Sequence, residues 1–480
     1  MSDHIGWGGV ARLGCVQAAL GAVVVITTST LNRVMVVELA LPALLPGLLV
    51  ALHYMVQVAR PRMGHGSDVG GRRSPWILGG MAVLAAGGLG ASAATAWMAT
   101  RPVAGLVLAV LSFAAVGLGV AAAGTSLLVL LAKRVAPQRR AAAATIVWMM
   151  MIAGFAVTAG VAGALLDPYS PARLVAVTAG VGAVALLVTA IALYGVEGRA
   201  RPGPAVPRPR QAASAAGFRE ALSQVWAEPA ARRFTIFVFV SMLAFSAQDL
   251  ILEPFAGIAF GFTPGESTAL AGVQHGGVLL GMIVVALAGS GLAGRRLGSL
   301  RAWTVAGCIA SALALAGLVL AGLLGPGWPL RANVFLLGAA NGAFSIAAIG
   351  SMMRLAGEGR EAREGVRMGL WGAAQAVAFG LGGLIGTGAS DIARWAIASP
   401  ATAYAVVFAL ESLLFLVAAA LASTIGREEA ASPAGDRDRP ATHRPATDRL
   451  GARARGLPGR AALSRGKAAH AATASIFQSR

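Results

Sequence analysis

The sequence predicts an all-α integral membrane fold of about twelve transmembrane helices in two six-helix bundles, and three observations predict it. Hydrophobic residues make up 57% of the 480-residue chain and charged residues only 12%, about half the share usual in soluble domains. Apolar residues come in repeated windows of about twenty, the length that crosses a hydrocarbon core of about 30 Å. The windows form two groups of six around a proline-rich polar stretch, which reads as a duplicated unit. The 63 glycines suit this class, because small residues let transmembrane helices approach closely. Cys15 and Cys308 both lie in apolar runs, so a disulfide scaffold is excluded.

Breaking the apolar runs at charges and at Pro/Gly clusters places the spans. The first six are 12–31, 41–59, 76–99, 103–131, 141–166 and 174–194; the second six are 234–251, 268–292, 302–324, 332–353, 366–390 and 401–425. Residues 12–194 and 234–425 are therefore the two bundles. The segment 195–233 carries Arg201-Pro-Gly-Pro-Ala-Val-Pro-Arg-Pro-Arg210 and reads as a stiff cytoplasmic linker. At its end Phe218, Ala221, Leu222, Val225 and Trp226 recur at helical spacing, a pattern for either an interfacial helix or a short solvated one. Residues 426–480, rich in Ala, Arg, Asp and Pro without apolar periodicity, read as a disordered cytoplasmic tail.

The formal charge of +19 is distributed by side. Alternating the loops leaves only Arg33, Arg101, Arg173, Arg331 and Arg394 opposite the termini, which places both termini in the cytoplasm. Basic loops of this kind fix topology, so nucleic acid is not an expected partner; the lipid bilayer is. The segment Met1 to Gly9 lacks the basic region and cleavage site of a leader, and the first span is expected to remain as a helix.

Between spans two and three stands Gly64-His-Gly-Ser-Asp68-Val-Gly-Gly71-Arg72-Arg73. It resembles the loop signature of the major facilitator superfamily, with Gly66 where Leu is usual, and it implies that fold. Its glycines permit a tight turn, and Asp68 with Arg72 and Arg73 can make charge-assisted bonds to helix ends, so Gly64, Asp68, Gly71, Arg72 and Arg73 are read as a gating loop. Gly294-Arg295-Arg296 echoes it after span eight, without the acid. Small-residue ladders, Ala156/Gly160/Ala164 and Ala378/Gly382/Gly386, mark helix contacts and carry no chemistry.

Ionisable and amide side chains in spans carry stronger hypotheses, since an unpaired buried charge is costly. Arg33 with Glu38, and Asp249 with Glu253, are spaced as rim pairs or as buried functional charges; Glu411 lies within the twelfth span. His53 and His275 suit either an ordinary hydrogen-bonded histidine or an axial ligand to the magnesium of a chlorin. Asn32, Gln274 and Gln375 offer polar contacts to ring substituents of such a ligand. No residue cluster has metal-ligand spacing and none forms a nucleophile arrangement, so neither a metal site nor a catalytic residue is expected.

The stretches Thr30-Leu-Asn-Arg-Val-Met-Val-Val-Glu38, Leu52-His-Tyr, Trp148-Met-Met-Met-Ile-Ala-Gly154, Leu166-Asp-Pro-Tyr-Ser-Pro171, Leu252-Glu-Pro-Phe255 and Gly369-Leu-Trp-Gly-Ala-Ala-Gln375 resemble the PucC/LhaA family. The likeness spans 12–425. It implies a major-facilitator-like protein of anoxygenic phototrophs, in the inner (intracytoplasmic) membrane, that supplies bacteriochlorophyll and assists light-harvesting complex assembly. The implied partners are bacteriochlorophyll or a precursor and light-harvesting or reaction-centre polypeptides; bound bacteriochlorophyll is the one cofactor the resemblance suggests. Leu52-His-Tyr and the compact 64–73 loop look most like the subgroup labelled a bacteriochlorophyll synthase chain. The chain shows no pair of acidic clusters to hold a prenyl diphosphate through magnesium, and on that ground it is expected not to be an enzyme. Two alternatives stand beside pigment delivery: a secondary transporter of a small solute or porphyrin-type compound, and a pigment-free assembly chaperone.

Overall fold

The structure is a computed structural model that describes residues 4–57, 72–197, 223–290, 298–358 and 364–425. These contain twelve helices: α1 Trp7–Glu38, α2 Leu44–Val56, α3 Ser74–Met98, α4 Pro102–Arg134, α5 Arg140–Leu166, α6 Pro171–Leu193, α7 Pro229–Phe260, α8 Pro264–Ser290, α9 Leu300–Leu324, α10 Leu330–Glu358, α11 Glu364–Ala396 and α12 Pro400–Thr424. Eleven are long and apolar enough to cross a membrane, and α2 is a shorter apolar helix as far as it is described. The expected fold class holds: two six-helix bundles of the major facilitator type. Gly64, Asp68, Gly71, the 294–296 echo, most of the linker and the tail lie outside the described residues.

Local chemistry explains where the helices begin. Proline occupies the first turn of α3, α4, α6, α7 and α12, where its missing N–H has no intrahelical acceptor to lose. Ser170, Ser299 and Ser399 accept from the third residue beyond them and cap α6, α9 and α12. Thr263 and Glu266 form a capping box on α8, each side chain accepting from the other's backbone N–H. At the other end of α7, Gly261 takes φ +70°, a conformation that costs glycine little, and its N–H closes on Gly257 O.

Two hydrophobic cores follow the duplication. One packs Val16, Leu20, Met81, Leu84, Val120 and Leu127 of the first six helices. The other packs Phe237, Phe255, Phe344, Tyr404, Phe408 and Phe415 of the second six, through edge-on aromatic contacts. The halves meet where α5 packs on α8, α2 on α11, and α1 on α7 and α8. Gly163 makes the α5–α8 approach possible, because a Cβ there would lie 2.6 Å from Gly265 O. The predicted ladders serve different neighbours: Ala156 and Gly160 receive Gly272 of the opposite half, whereas Gly382 and Gly386 receive α7 of their own.

Two helices run further than their charges suggested. α1 continues past Leu31 to Glu38 by widening twice to i→i−5 hydrogen bonds, Leu31 N–H to Ile26 O and Leu39 N–H to Val34 O. Asn32 and Arg33 do not end it, because distant carbonyls satisfy them. α7 likewise passes through Pro254 to Phe260, so Asp249 and Glu253 sit within the helix.

Candidate functional site

A polar seam forms where α1 crosses α7 and α8. Thr30 Oγ1 lies 3.1 Å from Thr268 Oγ1. Asn32 donates from Nδ2 to Leu250 O at 2.6 Å. Arg33, 2% exposed, forms an ion pair with Glu38 and donates to Phe262 O at 2.7 Å. At the residue before Leu250, Asp249 Oδ1 accepts from Gln274 Nε2 of α8 at 3.0 Å. The structure therefore joins Asn32, Arg33, Glu38, Asp249 and Gln274 in one seam between the halves.

Two further buried carboxyls lie close by, Glu253 one turn after Asp249 on α7 and Glu411 on α12. Glu253 is 1% exposed and Glu411 2%, and neither carboxylate has a hydrogen-bond partner among the described residues. Arg33 and Asp249 are the charges that act on Glu253, and Asp249 the one that acts on Glu411. The spacing Arg33/Glu38 thus gives an ion pair that is buried at the arginine, rather than a solvated rim pair. Beside it Tyr169, in the α5–α6 connection, has its phenol pushed up by burial and then by the charge of Glu38, with Arg33 acting the other way.

The two histidines lie in separate surroundings. His275 on α8 meets Phe155 of α5 edge-on at 5.0 Å, across the seam. Its Nδ1 lies 2.8 Å from Ala271 O. A carbonyl only accepts, so Nδ1 carries the donated proton and, in the neutral ring, Nε2 keeps its lone pair. His53 on α2 has Nε2 3.0 Å from Gln57 Nε2, and an amide nitrogen only donates, so that lone pair is engaged. His53 packs edge-on to Tyr54, which stacks on Phe379 of α11 at 5.6 Å. Gln375, one turn before Phe379 on α11, has Nε2 3.9 Å from Met242 Sδ of α7.

At the face where α1 begins, the described part of the 64–73 loop is tied to its own half. Glu197, just past α6, accepts from the Arg73 N–H, from the Ser74 N–H at 3.0 Å and from the Ser74 hydroxyl at 2.7 Å, with Arg72 at 3.9 Å. Burial pushes its carboxyl up, but these hydrogen bonds and Arg72 outweigh burial and hold it below the ordinary glutamate value. In the other half Glu228 accepts from Arg367 at the start of α11, from Nε at 3.1 Å and from Nη2 at 2.9 and 2.8 Å. Of the helical stretch before α7, Val225 is fully buried and Trp226 is 44% exposed.

Sequence reading missed the bonds of Glu197 and Glu228 and the Thr30–Thr268 contact. Their partners lie up to 238 residues away, and a lone threonine in an apolar run carries no spacing signal.

Comparison with known proteins fits this architecture. A bacterial homologue of the lysosomal transporter Spinster, in an inward-facing conformation, superposes with a TM-score of 0.63 at 16% identity, over 86% of this chain and 95% of that one. The D-xylose-proton symporter gives 0.64 at 14% identity, over 87% and 97%. At the level of sequence, the chain is 53% identical to the bacteriochlorophyll synthase 44.5 kDa chain of Rhodobacter capsulatus, over 88% of this chain and 96% of that one. It is 30% identical to protein PucC of the same organism, over 88% and 93%. The expectation that the chain is not an enzyme is corrected by the first of these relatives, whose name is that of a synthase chain; the missing diphosphate clusters do not exclude a catalytic assembly. A family model described as PUCC protein matches residues 30–430, and the chain belongs to that family of membrane proteins of photosynthetic bacteria.

Proposed function

We propose that this protein binds bacteriochlorophyll or a late precursor at the seam between its halves and delivers it to light-harvesting or reaction-centre polypeptides. The pigment is cargo here. The observation that supports the reading is His275: a seam histidine whose Nδ1–H is held by Ala271 O, so that the lone pair of Nε2 would be the one to ligate the magnesium. Phe155 against its ring supplies an apolar face, and Asn32, whose Oδ1 has no partner among the described residues, a hydrogen-bonding group for a ring substituent. Gln274 and Gln375 are further polar contacts, and His53 is a weaker ligand because Gln57 engages its Nε2.

A second reading, secondary transport of a small solute or porphyrin-type compound, is favoured by Glu253 and Glu411, buried carboxyls without hydrogen-bond partners among the described residues, in a transporter-like fold. The two are separated by purifying the protein in mild detergent from its phototrophic host. Bound pigment retained by the native chain and lost in His275→Ala supports delivery. A pigment-free preparation whose solute flux in proteoliposomes stops on neutralising Glu38, Asp249, Glu253 and Glu411 supports transport. Pigment-free protein carrying antenna polypeptides is the outcome for a pure assembly chaperone. The reading also takes the bilayer to be the inner membrane with both termini in the cytoplasm.

A further inference from the structure

Two carboxylates missing from the seam network join the halves at the face remote from the start of α1. Asp167, immediately after α5, accepts from the Thr263 hydroxyl at 2.7 Å and from the Gly265 N–H at 3.2 Å, at the start of α8. Asp391, in the last turns of α11, accepts from the Ala43 and Leu44 N–H groups at 3.0 and 2.8 Å, at the start of α2. Helix α2 has no capping side chain of its own, so Asp391 supplies its cap from the other half of the molecule.

The pair follows the duplication. Adding six to the helix number turns α5 into α11 and α2 into α8, so each acid ends one helix and caps the inter-half partner that begins beside it. The registers agree: His53 stands ten residues after Ala43, and His275 ten residues after Gly265. Beneath each cap a glycine permits close approach across the halves, Gly163 to the Gly265 carbonyl in one case and Gly47 to the Thr387 side chain in the other.

We infer that Asp167 and Asp391 form a two-point clasp that keeps this face of the seam closed, and that the protein exposes its seam to this face only when both caps release. A carboxylate on the N–H groups of a helix start gains from both hydrogen bonds and the helix dipole. All four cap bonds cross the inter-half boundary, so separation of the halves breaks them, while the Thr263/Glu266 box still caps α8 and Arg394, 4.0 Å from Asp391, still faces that acid within its own half. Their loss therefore biases the equilibrium toward opening rather than toward unfolding. This goes beyond the cargo proposed above and does not depend on it.

The test uses the full-length chain with Cys15 and Cys308 replaced by alanine and one reporter cysteine at a time. Thr30→Cys reports the seam near the clasped face, and Met149→Cys reports the opposite end of α5. Maleimide labelling is timed in detergent for the parent, Asp167→Asn, Asp391→Asn and the double variant. The clasp predicts at least a fivefold faster reaction at Thr30→Cys in the double variant, a smaller rise in each single one, and slower reaction at Met149→Cys. Unchanged labelling at Thr30→Cys overturns it. Faster labelling at both reporters, the sign of general loosening, also overturns it.

Discussion

At the residue scale, Arg33 is the side chain on which the seam most depends, since Glu38 pairs with it and the buried Glu253 lies in its field. Replacing it with leucine strands both acids and is expected to cost about 3 kcal/mol, the order found when one member of a buried pair is removed. Thermal unfolding in detergent measures this, and Arg33→Leu/Glu253→Leu should recover part of the loss, because the acid left without its counter-charge is gone as well. Equal loss in both variants would show that Arg33 acts through Phe262 O and Glu38 alone. Glu197 makes a prediction in pH. Its folded carboxyl is held below the ordinary value of 4.5, so its stabilisation is present above that pH and is lost as pH falls through the lowered value. The native chain should exceed Glu197→Gln in stability at pH 7, with the difference shrinking below about pH 4.5. A difference constant across that range would contradict the assignment.

At the scale of elements, close backbone approach decides which helices can pair. A valine at Gly163 would meet Gly265 O and Ala269 N inside contact distance, so Gly163→Val should push α8 off α5 and lower the unfolding temperature more than Val161→Ala, whose side chain is exposed. Eleven of the twelve expected spans were legible because length and hydropathy suffice to find a membrane helix. The overrun of α1 was not legible. Asn32 and Arg33 read as a stop by charge, and only Leu250 O and Phe262 O, more than two hundred residues away, make them tolerable inside a helix. The same limit hid Asp391, which looks like a surface acid until Ala43 and Leu44 present their N–H groups to it. The 64–73 signature was legible as a motif, and in its described part Glu197 of the same half accepts from the Arg73 N–H and lies 3.9 Å from the Arg72 side chain.

On the scale of the whole molecule, a transporter-type fold holds a charged seam next to a histidine with a lone pair to offer, in a family named for photosynthetic proteins. Sequence offered His53 and His275 alike as magnesium ligands, but their neighbours make them unequal: Gln57 engages one ring, and the Ala271 carbonyl orients the other. The measurement that tests the central claim most directly is pigment extraction and absorption spectroscopy of the protein purified in mild detergent from a phototrophic host. It compares the native chain with His53→Ala and His275→Ala. Near-stoichiometric bacteriochlorophyll or precursor on the native chain, lost or spectrally shifted in His275→Ala and largely retained in His53→Ala, is the predicted result. Pigment content and spectrum unchanged in His275→Ala, or no pigment on the native chain, would contradict it.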